Sequence, residues 1–71
     1  MTDSTDRQEA ASRGLMNMPA SALRKHPRAQ VQSLRKQAQI ANRKGQTQRA
    51  IDATEAMVFL NEKHNLGYPT V

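Results

Sequence analysis

Side chains suited to acid–base or metal chemistry are few in this sequence and lie far apart. His26 and His64 are widely separated in the chain and lack the spacing of metal ligands. Asp52 and Glu55 are one helical turn apart and are expected to form ion pairs with nearby cations, namely Arg43, Lys44 or Arg49. The three glycines are isolated, so the sequence has no Gly-rich phosphate loop. These observations predict a non-enzymatic protein without a catalytic residue, a metal or a cofactor.

Basic residues dominate the middle of the chain, because no Asp or Glu occurs between Ala10 and Ile51. The formal net charge is +5 at pH 7, and the acids lie towards the two ends. A helix that needs only solubility usually interleaves both signs as pairs one turn apart. The uncompensated charge favours a polyanionic partner over a merely solvated basic face. The basic residues of this stretch are Arg13, Arg24, Lys25, Arg28, Arg35, Lys36, Arg43, Lys44 and Arg49.

Length and composition restrict the architecture that could present this charge. With 71 residues and no cysteine, the chain forms one domain at most and has no disulfide or thiolate metal site. The sequence shows neither a signal peptide nor the roughly 18–20 apolar residues that span a bilayer. We therefore expect a cytoplasmic protein that does not bind a membrane.

The elements that would position the basic residues are predicted to be helices. Residues 1–18 are polar and lack apolar periodicity, so a flexible tail is expected there. A helical domain is predicted over 19–66, beginning with a short helical turn over 20–25, and a second tail follows over 67–71. Pro27 is well placed as the first residue of a longer helix.

The helix from Pro27 to Lys44 is the clearest prediction. Its apolar residues recur at spacings of three and four and form one narrow stripe, made of Val31, Leu34, Ala38 and Ala41. The basic residues fall on the opposite side, and Ile40 lies among them. No aromatic residue occurs in this stretch, which disfavours binding of single strands by base stacking.

A second helix is predicted from Gln48 to about His64, after a stop at Gly45 and a cap at Thr47. Its apolar side is broad and comprises Ala50, Ile51, Ala53, Thr54, Met57, Val58 and Leu60. The short link favours antiparallel neighbours. The predicted fold is therefore all-α, an antiparallel hairpin of two main helices with a short N-terminal turn. Self-association or a partner is expected to complete the core, because the second apolar side is wider than the first stripe.

The segment from Ile40 to Ile51 resembles the turn of a helix-turn-helix DNA-binding motif. Ala41 and Gly45 match the small residue and the turn glycine of that motif, and Ile51 matches a buried aliphatic position. The resemblance implies that the start of the second helix contacts a DNA groove. The candidate groove contacts would be Gln46, Thr47, Gln48, Arg49 and Asp52.

The segment from Lys44 to Met57 is also similar to the turn and second helix of a tetratricopeptide-type hairpin. Gly45, Ala50 and Ile51 are the matching positions. This resemblance implies a tight helix crossing at a small residue. Both matches share a glycine stop, a polar cap and a small packing residue.

Ile40 and Phe59 are apolar residues that fall outside the predicted buried sides. One interpretation is that they pack on the tails, Ile40 on residues 15–18 and Phe59 beneath Leu66, Tyr68 and Pro69. The other interpretation is that they anchor a protein partner, as exposed apolar residues ringed by charge often do.

The sequence thus predicts a small basic helical protein that binds nucleic acid, DNA or RNA, through its first main helix. The residues expected to bind nucleic acid or an acidic partner are Arg24, Lys25, Arg28, Arg35, Lys36, Arg43, Lys44 and Arg49. The alternative is an adaptor or inhibitor, of the small viral or mobile-element type, that binds an acidic surface of a protein complex with Ile40 as its anchor. A third hypothesis is a small oligomeric structural or assembly component.

Overall fold

The computed structural model describes the backbone of residues 3–67 and the side chains of residues 6–67. The described chain contains four helices and no strand: α1 Asp3–Met16, α2 Ala20–Leu23, α3 Pro27–Arg43 and α4 Thr47–His64. The prediction of an all-α fold is confirmed. Helix α4 packs against both α1 and α3, and the short α2 packs against α3.

Helix α3 forms where its local sequence signals predict it. Pro27 occupies the first turn, where a missing backbone N–H removes no helical hydrogen bond. The predicted apolar stripe is the buried face, with Val31, Leu34, Ala38 and Ala41 turned inward. Leu34 is fully buried and lies in a core with Met18, Ala22, Ala53, Ala56 and Leu60. The Gln30 Nε2 donates to the Leu23 carbonyl at 3.0 Å and so ties the start of α3 to the end of α2.

The link between α3 and α4 is a Schellman turn around Gly45. Gly45 has a positive φ of 73°, which only glycine adopts without steric cost. The Gln46 N–H donates to the Ala41 carbonyl at 2.8 Å, and the Gly45 N–H donates to Asn42 at 3.2 Å. The cap of α4 is Gln46 rather than the predicted Thr47, which is the first helical residue. Helices α3 and α4 pack against each other, and their antiparallel direction stays a prediction from the short link.

The N-terminal segment differs from its prediction. A flexible tail was expected over 1–18, but Asp3–Met16 forms helix α1, and residues 1 and 2 lie outside the described part. Its inward face consists of Ala10, Ala11 and Gly14, which are buried against α4. Such small residues produce almost no hydrophobic periodicity, although they allow two helix backbones to approach closely. The polar composition of α1 therefore describes only its outer side.

Helix α4 is rotated relative to its predicted buried side. Ile51 is 45 % exposed, whereas Asp52 is buried at 4 % exposure. Helix α1 covers the Asp52 and Ala56 side, and α3 lies along the Ala50 and Ala53 side. Of the predicted buried side, Ala50, Ala53 and Leu60 are buried as expected, whereas Ile51 and Thr54 are exposed. The C-terminal tail prediction can be compared only at Gly67, since residues 68–71 lie outside the described chain.

Candidate binding surface on helix α3

The outward side of α3 carries a set of cations that we call the basic surface: Arg28, Arg35, Lys36, Arg43 and Lys44. All five residues are exposed. Helical spacing divides them into two rows, because residues seven or eight positions apart return to the same face. Arg28 and Arg35 form one row. Lys36 and Lys44 form the second, with Ile40 midway between them, and Arg43 lies between the two rows, seven positions from Lys36 and eight from Arg35.

Four cations of the basic surface differ from Arg13 in their ion pairing. Among residues 6–67, the side chains of Arg35, Lys36, Arg43 and Lys44 make no ion pair or hydrogen bond. Asp52 and Glu55 were predicted to pair with Arg43, Lys44 or Arg49. For Asp52 this prediction is wrong, because Arg13 binds it. Glu55 makes no ion pair within the described chain. The positive charge of this side of the molecule is therefore left to solvent and ligands.

Asp52 is bound across the α1–α4 interface by Arg13. The Arg13 Nη2 lies 3.3 Å from Asp52 Oδ1, and Arg13 Nε lies 3.3 Å from both carboxylate oxygens. The Gln48 side chain donates a further hydrogen bond of 2.9 Å to Oδ1. Because the buried carboxylate has these donors, it is part of the framework and not of a ligand site.

The remaining predicted cations flank the ends of α3. Arg24 and Lys25 are exposed in the link between α2 and α3, and Arg49 is exposed in the first turn of α4. None of the three makes a side-chain ion pair within the described residues. Arg24 and Lys25 extend the basic surface at the beginning of α3, and Arg49 extends it at the end.

Ile40 is 42 % exposed and lies at the edge of an open cavity of about 230 Å³. The cavity lies where the ends of α1 and α3 meet the start of α4, and it brings Ile40 together with Lys44 and Arg49. Asn17, Gln37 and Gln46 contribute amide groups to its wall. Ile40 thus borders α1 near residues 14 and 17 but keeps a large part of its side chain in solvent.

A second exposed surface was not recognised from the sequence. It lies on the outward side of α4 and consists of Ile51, Glu55, Val58, Phe59 and Glu62, which we call the α4 outer face. Phe59 is 42 % exposed, and the Lys63 Nζ lies 5.6 Å from the centre of its ring. Tyr68 and Pro69, which were expected to cover Phe59, lie outside the described chain. The spacing of four, three and four from Ile51 to Glu62 was the signal that could have identified this face.

The structure departs from the helix-turn-helix resemblance at Ile51, which is exposed where that motif implies a buried aliphatic residue. Asp52 is excluded as a groove contact because it is buried and bound by Arg13. Gln46, Thr47, Gln48 and Arg49 are exposed, although Gln48 also donates to Asp52. Ala50 is buried, as the tetratricopeptide-type resemblance implies.

Comparison of the chain with protein-family models, curated proteins and solved structures found no match. Within the described residues, no helix is long and apolar enough to cross a membrane. The same part of the chain brings no three His, Asp or Glu side chains together as metal ligands would be. The basic surface and the α4 outer face are therefore the features of this chain that bear on its function.

Proposed function

We propose that this protein is a non-enzymatic binding protein that holds nucleic acid on the basic surface of α3. The observation that carries the proposal is the absence of any ion pair at Arg35, Lys36, Arg43 and Lys44 among the described residues. These cations need no protein carboxylate to be displaced before they contact a phosphate. A cytoplasmic location belongs to the same proposal.

The dimensions of α3 suit a polyanion better than a single small anion. At 1.5 Å per residue, the helix axis extends about 24 Å from Arg28 to Lys44. Duplex DNA carries one negative charge per about 1.7 Å of its axis, so this length faces several phosphates. Exposed Gln32 and Gln39 lie on the same side as Arg28 and Arg35 and can donate to phosphate or base edges.

The test is the salt dependence of binding, measured by fluorescence anisotropy with labelled duplex DNA and with a structured RNA between 50 and 200 mM salt. We expect a logarithmic slope of about −0.9 for each phosphate neutralised. The variant Arg35→Ala/Lys36→Ala should weaken binding and lower the slope by about two contacts. Arg7→Glu is the matched control, because it also changes the net charge by −2 but lies on the exposed side of α1.

Two results would contradict the proposal. One is the absence of binding to either nucleic acid at 50 mM salt. The other is an equal loss of affinity in Arg35→Ala/Lys36→Ala and Arg7→Glu, which would mean that only net charge attracts the polyanion. The nucleic acid that retains the higher affinity at 200 mM salt identifies the preferred class.

The second candidate function is an adaptor that binds an acidic protein surface, and the cavity beside Ile40 favours it. Ile40 could contact an apolar side chain of a partner segment, while Lys44 and Arg49 on either side bind a carboxylate of the same segment. Ile40→Asp separates the two candidates. It should abolish capture of an acidic protein partner from a nuclease-treated lysate, while nucleic acid affinity falls only modestly through one added negative charge.

A further inference from the structure

The basic surface and the α4 outer face have the same arrangement of residues with opposite charge. On α3, Ile40 follows Lys36 by four positions and precedes Arg43 by three. On α4, Phe59 follows Glu55 by four positions and precedes Glu62 by three. In both helices the two charges are seven positions apart, about 10.5 Å along the axis, and so lie on one face.

Both central residues remain uncovered within the described chain. Ile40 and Phe59 are each 42 % exposed, and Ile51 extends the apolar part of the α4 outer face with 45 % exposure. Val58 is half-buried beside Phe59. Exposed apolar residues that form a row along a helix and are bordered by charge are typical of an interaction surface.

The two surfaces cannot meet within one molecule. Helices α3 and α4 pack against each other through their buried faces, so the outward sides point away from their mutual contact. A second copy of the chain supplies the missing surface, since its α4 carries carboxylates at the spacing of the α3 cations. Opposite charges at matched spacing fix which surfaces meet and their register.

We propose that the protein self-associates head to tail, with α3 of one copy packed on α4 of the next. Ile40 contacts Phe59 across this interface, and Lys36 and Arg43 form ion pairs with Glu55 and Glu62. Each molecule uses one surface and leaves the other free, so the contact is heterologous and produces either a ring or an open chain. This proposal is independent of nucleic acid binding, although the two uses of Lys36 and Arg43 would compete.

The contact is expected to be weak and sensitive to salt. Each face offers only two or three apolar side chains, and interfaces below about 1,200 Å² are characteristic of transient contacts. A dissociation constant on the order of 100 µM at 50 mM salt is expected. Raising the salt to about 500 mM should weaken association roughly tenfold by screening the exposed pairs.

The Lys63 ammonium is the one cation that borders the Phe59 ring among the described residues. It opposes the approach of Lys36 and Arg43, because like charges placed together at an interface are unfavourable. Lys63→Ala should therefore tighten self-association about threefold. Weaker association in Lys63→Ala would contradict this arrangement, because it would mean that Lys63 contacts the neighbouring copy favourably.

The decisive experiment uses two charge-reversed variants of the full chain in sedimentation velocity, after nuclease treatment. Glu55→Lys/Glu62→Lys removes the acidic surface, and Lys36→Glu/Arg43→Glu removes the basic one. Each variant alone should be a monomer at 500 µM. An equal mixture should associate again and beyond the dimer, because the basic α3 of the first variant meets the acidic α4 of the second, and the reversed α4 of the first meets the reversed α3 of the second. The unmodified chain should form species beyond the dimer at the same concentration.

Three results would overturn the proposal: an unmodified chain that stays monomeric at 500 µM and low salt, a mixture that stays monomeric, or single variants that associate as well as the unmodified chain. Circular dichroism checks that each variant is folded, and Ile40→Ser and Phe59→Ser replace any reversed variant that is not. Phe59→Ser retains both the basic surface and the net charge, so its nucleic acid affinity reports separately on the proposed function.

Discussion

Arg13 and Arg35 come from the same acid-free stretch of sequence, but the fold gives them different surroundings. Arg13 crosses from α1 to α4 and contacts both carboxylate oxygens of Asp52, which is buried. Arg35 points outward from α3 and makes no ion pair within the described chain. A charge count treats the two residues alike, whereas the packing makes one a structural residue and leaves the other available for a ligand.

The comparison shows that a stretch without acids is not a stretch without ion pairs. The carboxylate that binds Arg13 comes from Asp52, just beyond the end of the stretch, because α1 packs on α4 and not on its neighbours in sequence. Among the helices of residues 3–67, none lies over the outward side of α3 in this way. The part of the basic stretch that we expect to bind a partner is therefore the uncovered outward side of α3.

The largest expected effect is at Gly14, which tests whether α1 is held as tightly as its contacts indicate. A Cβ at this position would overlap the backbone carbonyl of Asp52 and lie 2.8 Å from the Ala56 Cβ. Because a backbone carbonyl cannot move aside, Gly14→Ala should push α1 away from α4 and lower the free energy of unfolding by about 2 kcal/mol. Urea denaturation followed by circular dichroism measures this.

Ser12→Ala is the control for Gly14→Ala, since Ser12 is exposed on the same helix. It should change stability by less than about 0.5 kcal/mol, and towards higher stability, because Ala favours helix. A Gly14→Ala variant that gains stability in the same way would show that α1 is not closely packed on α4.

The second prediction compares Arg13→Ala with Arg35→Ala by two measurements, stability and affinity for nucleic acid. Arg13→Ala leaves the buried Asp52 carboxylate with Gln48 as its remaining side-chain donor, so stability should fall by about 1–2 kcal/mol. Arg35→Ala should leave stability within about 0.5 kcal/mol. Affinity for nucleic acid should change in the opposite order, falling in Arg35→Ala and holding in Arg13→Ala at temperatures where both are folded. Equal loss of stability in the two variants would remove the distinction.

The smallest effect concerns Arg43, which sequence analysis expected to pair with Asp52 or Glu55. Arg43 lies in the last turn of α3 and has no such partner within the described chain, so only its attraction to the helix dipole is lost in Arg43→Gln. Unfolding free energy should drop by about 0.3–0.5 kcal/mol. A loss as large as that of Arg13→Ala would place Arg43 with the structural arginines.

The parts of the fold that depend on neighbouring residues were predicted from sequence. Pro27 starts α3, its spaced apolar residues form the buried face, and Gly45 ends the helix in a left-handed turn. Each of these features follows from a few adjacent positions. The exposure of Arg35 and Lys36 was predicted with them, because the stripe that is buried determines the side that is not.

The parts that depend on distant residues were missed. Helix α1 is held by small side chains and by Arg13, whose partner Asp52 is 39 positions away. Because Ala10 and Gly14 have no large apolar neighbour on their helix face, they did not stand out as a buried side. Asp52 was counted as a surface residue, so the apolar side of α4 was placed towards Ile51. The close approach of α1 to α4 at Gly14 and the donors from Arg13 and Gln48 together explain why the Asp52 carboxylate is buried.

The sequence separation of Arg13 and Asp52 also affects how the chain folds during translation. Ribosomes add about 5–20 residues per second, so Asp52 is joined to the chain roughly 2–8 s after Arg13. During that interval α1 has no α4 to pack on, whereas α3 and α4 meet soon after their short link is complete. Helix α1 is thus synthesised before the other helices but can reach its native contacts only when α4 exists.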